Sequence, residues 1–303
     1  MFRKSATTFS STKKAEEKFS PPRLLLDLDE TLVSFMSVAL PDDANQHSEF
    51  IALRRGNLSN LYPDIKVDGI EALELRLERE LIHHLPHPAM DTFLKWIFTI
   101  LKAKVTFYSA GEKLRNESLV PKLMEYTLGQ DEYKKINDEE RCSVVTVPRP
   151  SNSQLWEAKK YIDYALDQTD KLDKEIRNKT ILIDNNPAHI GKNERRHMLV
   201  APTLMLDDDN FNDVISLNHI FYITGILLAV MKGKRCPADK LDVMQYGDDD
   251  TPDDPKDLYD QLKFYKSGLK ELQKIDPKLR FAREIELLEA IDPDIQSKLV
   301  CYV

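Results

Sequence analysis

The stretch Arg23-Leu24-Leu25-Leu26-Asp27-Leu28-Asp29-Glu30-Thr31-Leu32 runs three consecutive leucines into two carboxylates placed two residues apart. Leu24 to Leu26 is a short, unbroken apolar run, the pattern of a parallel-sheet strand covered on both faces. Asp is disfavoured inside strands, so Asp27 and Asp29 belong where the strand ends and its loop begins. In open α/β sheets that carboxyl end is where ligands bind. Carboxylates at i and i+2 point to the same side there, and their repulsion is tolerable where a cation or proton lies between them. A hard ion such as Mg²⁺ is suggested. The bland alternative is a turn in which Asp27 and Asp29 only cap the next segment.

Further apolar runs at Lys104-Val105-Thr106-Phe107-Tyr108, Ser143 to Val147, Thr180 to Ile183 and His197 to Val200 alternate with helical stretches. That alternation predicts an α/β fold with a doubly wound parallel sheet. Pro88 to Ile97 reads as a helix start with an apolar stripe at Phe93, Leu94, Ile97 and Leu101. Three segments fall outside this pattern. A polar tail, residues 1–22, ends at Pro21-Pro22 and reads as disordered, its Arg3, Lys4, Lys13 and Lys14 only faintly like a transit sequence. An insertion of about 37–71 follows the first strand. Leu73, Leu75 and Leu77 then alternate with charged residues like a half-exposed strand, with Phe50 to Leu53 as its candidate partner. Residues 234–303 read as a helical C-terminal appendage set off by the acidic linker Gly247 to Pro255. There Leu258, Leu262, Tyr265, Leu269 and Leu272 recur at helical spacing.

Val214 to Met231 reaches the lower limit for a membrane span, but Ser216, Asn218, His219 and Thr224 interrupt it. A helix buried against the sheet is the better reading. With 303 residues, 42% of them hydrophobic, and a formal charge of −8, the chain reads as soluble, and its acidity argues against nucleic acid as the main partner. Cys142, Cys236 and Cys301 are odd in number and widely spaced, which fits a reducing compartment such as cytoplasm or nucleus.

Asp27-Leu28-Asp29-Glu30-Thr31-Leu32 resembles the D-x-D-x-T signature of the haloacid dehalogenase (HAD) superfamily phosphatases, in the form typical of the FCP/SCP-like protein phosphatase branch. Ile181-Leu182-Ile183-Asp184-Asn185-Asn186-Pro187 resembles the fourth motif of the same branch. The resemblance covers roughly Arg23 to Lys232, a HAD-like Rossmannoid domain of about 23–233. It implies that Asp27 is a nucleophile taking up the phosphoryl group and that Asp29 is first acid, then base. It also implies Mg²⁺ bound by Asp27, Asp184 and the backbone carbonyl of Asp29, with Asn185 supporting Asp184 and Thr31 tying the loop to the backbone. Ser109, closing Tyr108-Ser109-Ala110-Gly111, stands where that family binds a phosphate oxygen. The third-motif lysine is open between Lys159 and Lys160: if Leu155, Ala158, Ile162 and Ala165 face the core, Lys159 borders that face, whereas Lys160-Tyr161-Ile162 is closer to the motif. His87 replaces an arginine of the branch, and with His83 and His84 it lacks a fourth ligand for zinc.

The expected function is therefore a Mg²⁺-dependent phosphoprotein phosphatase acting on phosphoserine/phosphothreonine or phosphotyrosine, the short insertion leaving the cleft open to a protein side chain. A small-molecule phosphatase is the enzymatic alternative. A non-catalytic binding module of the same fold, anchored through the appendage to a membrane or partner, is the other. Glu284-Ile285-Glu286-Leu287-Leu288-Glu289 resembles the end signals of type IV-secreted bacterial effectors, which would place the enzyme in a host cytosol; an amphipathic helix accounts for it equally.

Overall fold

The computed structural model describes residues 21–39, 73–77, 80–111, 113–148, 159–169, 173–202, 214–232, 236–246, 261–284 and 287. Most of the N-terminal tail, most of the insertion with Phe50 to Leu53, the acidic linker, Leu155, Ala158, Leu258, Cys301 and most of the stretch from Glu284 to Glu289 lie outside the described residues.

The elements, in chain order, are β1 (Arg23–Leu26), β2 (Val33–Ala39), β3 (Leu73–Leu77), β4 (Glu80–Pro86), α1 (Met90–Lys95), β5 (Lys104–Ser109), α2 (Lys113–Leu128), α3 (Gln130–Asp138), β6 (Cys142–Thr146), α4 (Ile162–Thr169), α5 (Lys174–Asn178), β7 (Thr180–Asp184), β8 (Met198–Val200), α6 (Val214–Leu217), α7 (His219–Met231), α8 (Pro237–Tyr246) and α9 (Gln261–Leu272). A π-helical turn, Trp96–Ile100, continues α1. Five strands form one sheet in the order β6-β5-β1-β7-β8, parallel at every pairing. β2, β4 and β3 make a separate antiparallel sheet from the described part of the insertion and the segment after it.

β1 is the middle strand, and all four of its residues are buried. Its side chains alternate between the two faces, as the pleat requires. Leu24 and Leu26 join Val105, Phe107, Ile181 and Ile183 in a core that α1, α2 and α7 cover. Leu25 joins Tyr108, Val145 and Leu182 in a second core closed by Ile162, Ala165 and Leu166 of α4. Helices on both faces explain why these strands read as continuous apolar runs.

α7 is buried on nearly all sides, with only Leu228, Ala229 and Met231 partly open. No helix among the described residues is long and apolar enough to cross a membrane. Its polar residues each have a task. Asn218 is fully buried and acts as a two-way clamp, its Nδ2 donating to Ala282 O at 2.9 Å while the Ala282 N–H donates to its Oδ1 at 2.8 Å. Thr224 Oγ1 donates to Ile220 O at 2.8 Å. α9, from the stretch beyond the linker, crosses α7 where two glycines meet. A Cβ at Gly225 would lie 2.0 Å from Phe264 O, and one at Gly268 would lie 1.8 Å from Phe221 O. Tyr265, Leu272, Phe281 and Leu287 thus share the core that holds Leu24 and Leu26.

Candidate active site

Because β1, β5 and β7 are neighbouring parallel strands, their carboxyl ends lie along one edge of the sheet. Asp27 follows β1, Ser109 ends β5 and Asp184 ends β7. Asp27 extends the ladder by one residue, its N–H donating to Ile183 O at 3.0 Å. The chain then reverses at once. Glu30 adopts the left-handed region at φ +57°, and Leu32 and Val33 both donate to Leu28 O, at 2.9 and 3.0 Å.

Lys160 Nζ lies 2.6 Å from Asp27 Oδ1 and 2.5 Å from Asp184 Oδ2, with all three side chains almost fully buried. The reading that set Lys159 at the border of a helix face took residues 159 and 160 to be helical, which they are not. α4 begins only at Ile162. Lys160 instead is extended and bridges to Ile190, its N–H donating to His189 O at 2.6 Å. In extended chain, successive side chains point opposite ways. Lys160 therefore enters the site while Lys159 turns outward and donates to Ala188 O.

One lysine faces two buried carboxylates, so the cluster holds more negative than positive charge. Burial pushes the Asp27 carboxyl up to about 8, with Asp184 and Asp29 adding to the rise and Lys160 opposing it. Burial alone would lower the Lys160 ammonium, but Asp184 and Asp27 more than offset this and hold it above its ordinary value.

Asp29 is the more open carboxylate, 22% exposed, and it carries a partner the sequence reading missed. Both guanidinium nitrogens of Arg115 donate to it, Nη1 to Oδ2 at 2.8 Å and Nη2 to Oδ1. Ser109 Oγ donates to the same Oδ2 at 3.2 Å and itself accepts the Gly111 N–H at 3.0 Å. Asn116 fastens the arrangement, accepting from Arg115 Nη1 at 2.9 Å and donating to Gly111 O and Thr146 Oγ1. The available signal was positional: Arg115 lies one helical turn past Gly111, at the start of α2.

Thr31 ties the loop to the end of β7, its Oγ1 accepting from Asn185 N at 3.2 Å and donating to Asn185 Oδ1 at 3.3 Å. Asn185 is thereby engaged with the loop, and Asp184 Oδ1 accepts from Asn186 N at 2.7 Å. His87 is buried. Its Nδ1 lies 3.0 Å from His219 Nε2, which lies 2.8 Å from Thr31 O, so both buried rings sit beneath the same loop.

The donor set fits a hard cation. Asp27 and Asp184 supply oxygen ligands, and two buried carboxylates against a single lysine are a charge arrangement that a divalent ion relieves. Among the described residues no three His, Cys, Asp or Glu side chains gather around one point, so such an ion would complete its shell with backbone and water oxygens, as Mg²⁺ commonly does.

An α/β protein with an acidic, lysine-bridged site at the carboxyl edge of its parallel sheet is what the fold and these residues define. The sequence matches no family model and no curated protein. Among solved structures it is similar to Fcp1, an essential RNA polymerase II CTD phosphatase, at 12% identity and a TM-score of 0.40, over 86% of this chain and 67% of that one. It is also similar to a variant of the fission yeast RNA polymerase II CTD phosphatase Fcp1 bound to beryllium fluoride, at 13% identity and a TM-score of 0.36, over 92% of this chain and 61% of that one.

Proposed function

We propose that the protein is a Mg²⁺-dependent phosphoprotein phosphatase that works through an aspartyl-phosphate on Asp27. The observation that carries this reading is the buried Asp27, Lys160 and Asp184 cluster lying beside Ser109 and Asp29 at three parallel strand ends. A carboxylate nucleophile splits one difficult hydrolysis into two easier displacements.

In the first, an Asp27 oxygen bonds to phosphorus as the bond to the leaving oxygen breaks, and Asp29 gives that oxygen its proton. In the second, water attacks the same phosphorus, the bond to Asp27 breaks, Asp29 takes the proton from water, and inorganic phosphate leaves. Lys160 opposes the rise in the Asp27 carboxyl and balances charge on the phosphoryl oxygens, while Ser109 binds one of them. Mg²⁺, held by Asp27, Asp184 and the Asp29 carbonyl, would supply further positive charge to the transferring group.

The substrate is a phosphorylated side chain on a protein, phosphoserine/phosphothreonine or phosphotyrosine. The insertion after β1 is too short for a large cap, which favours such a substrate over a small enclosed metabolite.

An aryl phosphate assayed with Mg²⁺ and with chelator, beside Asp27→Asn and Asp29→Asn, tests the mechanism. Turnover should vanish with chelator and in Asp27→Asn, and fall roughly 10²–10⁴-fold in Asp29→Asn. Hydroxylamine should intercept the acyl phosphate. Activity indifferent to both chelation and Asp27→Asn would sink the reading. A phosphopeptide panel then assigns the side-chain class.

A further inference from the structure

Asp29 occupies a recess built for an anion. The Ser109 hydroxyl and Arg115 Nη1 donate to one oxygen of its carboxylate while Nη2 donates to the other. The recess is shaped around the arginine. A Cβ on Gly111 would lie 2.1 Å from Arg115 Nη1, 2.9 Å from Asn116 Oδ1 and 3.2 Å from Ser109 Oγ, so only a glycine lets the guanidinium pass over the backbone here. Arg115 is itself buried, and fully buried Asn116 braces it. This is a preorganised fork. A planar guanidinium with two parallel donors matches the oxygens of a phosphate as well as those of a carboxylate.

The donors share one acceptor, so they stand side by side. If Ser109 binds a phosphoryl oxygen, Arg115 is adjacent to another oxygen of the same group. A phosphomonoester dianion carries more charge than the aspartate and is the stronger partner for the fork.

We infer that Arg115 is a substrate-binding residue that exchanges partners: it holds Asp29 in the free enzyme and takes the phosphoryl oxygens when substrate enters, freeing Asp29 to take up a proton from solvent and turn toward the leaving oxygen. The inference rests on the phosphoryl-transfer reading above and names the residue that would select dianionic phosphomonoesters within it. Arg115 anchors the same group that Lys160 and Ser109 approach.

The full chain is tested as Arg115→Ala and Arg115→Lys by calorimetric titration with inorganic phosphate and by aryl phosphate kinetics, each with Mg²⁺. Thermal melting identifies any variant that fails to fold; Arg115→Lys keeps a positive charge without the fork. Weaker phosphate binding and a KM for the aryl phosphate raised tenfold or more in both variants are expected. Millimolar guanidinium added to Arg115→Ala should restore part of both. A fall in kcat with phosphate affinity and KM unchanged would overturn the inference, because Arg115 would then act only by holding Asp29. If the wild-type protein turns over no phosphomonoester yet binds phosphate through Arg115, the catalytic reading falls while the assignment of Arg115 as an anion ligand stands.

Discussion

Lys160 is buried between Asp27 and Asp184 and offsets their negative charge. Removing one partner of a buried ion pair leaves an uncompensated charge in a poorly solvated place. Lys160→Met should therefore destabilise the metal-free protein by about 3–5 kcal/mol, measured by urea unfolding, and Mg²⁺ should recover part of the loss. Asp27 gives the pH dependence. Its folded value is raised to about 8, so the folded chain keeps a proton that the unfolded chain releases in the ordinary carboxylate range. The associated stability is complete below about pH 4 and is lost as pH climbs through about 8. Asp27→Asn cannot ionise, so its melting temperature should gain on that of the wild type between about pH 5 and about pH 9 without metal. A constant difference across that range would contradict the burial argument. Asp27, Asp29, Ser109 and Asp184 were all legible in the sequence because a strand end followed by a polar residue leaves a local pattern. Arg115 was not, because an arginine at the start of a helix looks the same whether it faces solvent or a carboxylate.

The strands of the parallel sheet were read where they are, since an unbroken apolar run has one economical explanation in an alternating α/β chain. The segment before α4 was misread for a related reason. Ile162 and Ala165 do face the core, but the helical period was extended backward past the true start of α4, and a single residue of extended chain exchanges the directions of neighbouring lysines. α7 shows the reverse case: the residues that seemed to interrupt an apolar run, Asn218, His219 and Thr224, are buried with partners of their own. The crossing of α7 and α9 was invisible because it depends on two glycines far apart in the chain. Gly268→Ala would drive a methyl group into the Phe221 carbonyl, a steric cost of at least ~2 kcal/mol by the usual penalty for overpacking, readable as a lowered denaturant midpoint with little change in slope.

Across the molecule, α9 belongs to the same packing unit as the strands of the parallel sheet. Cutting the chain after residue 246 would uncover Phe221, Tyr222 and Gly225 on α7, an apolar surface of the size that drives association. The shortened protein should bind a hydrophobic dye and aggregate, whereas a truly separate appendage would leave a soluble, cooperatively folding remainder. The His87 and His219 pair adds a different consequence. Burial, and then its neighbour His219, hold His87 well below the usual imidazole value, so the folded state refuses a proton that the unfolded chain accepts. Its stabilising effect is present above about pH 6.5 and fades as the solution is acidified. Asp27 favours acid and His87 favours base, so their opposing slopes overlap and should flatten the stability profile in mildly acidic solution. The molecule thereby carries its own buffer against changes in pH, seated under the loop that follows Asp27.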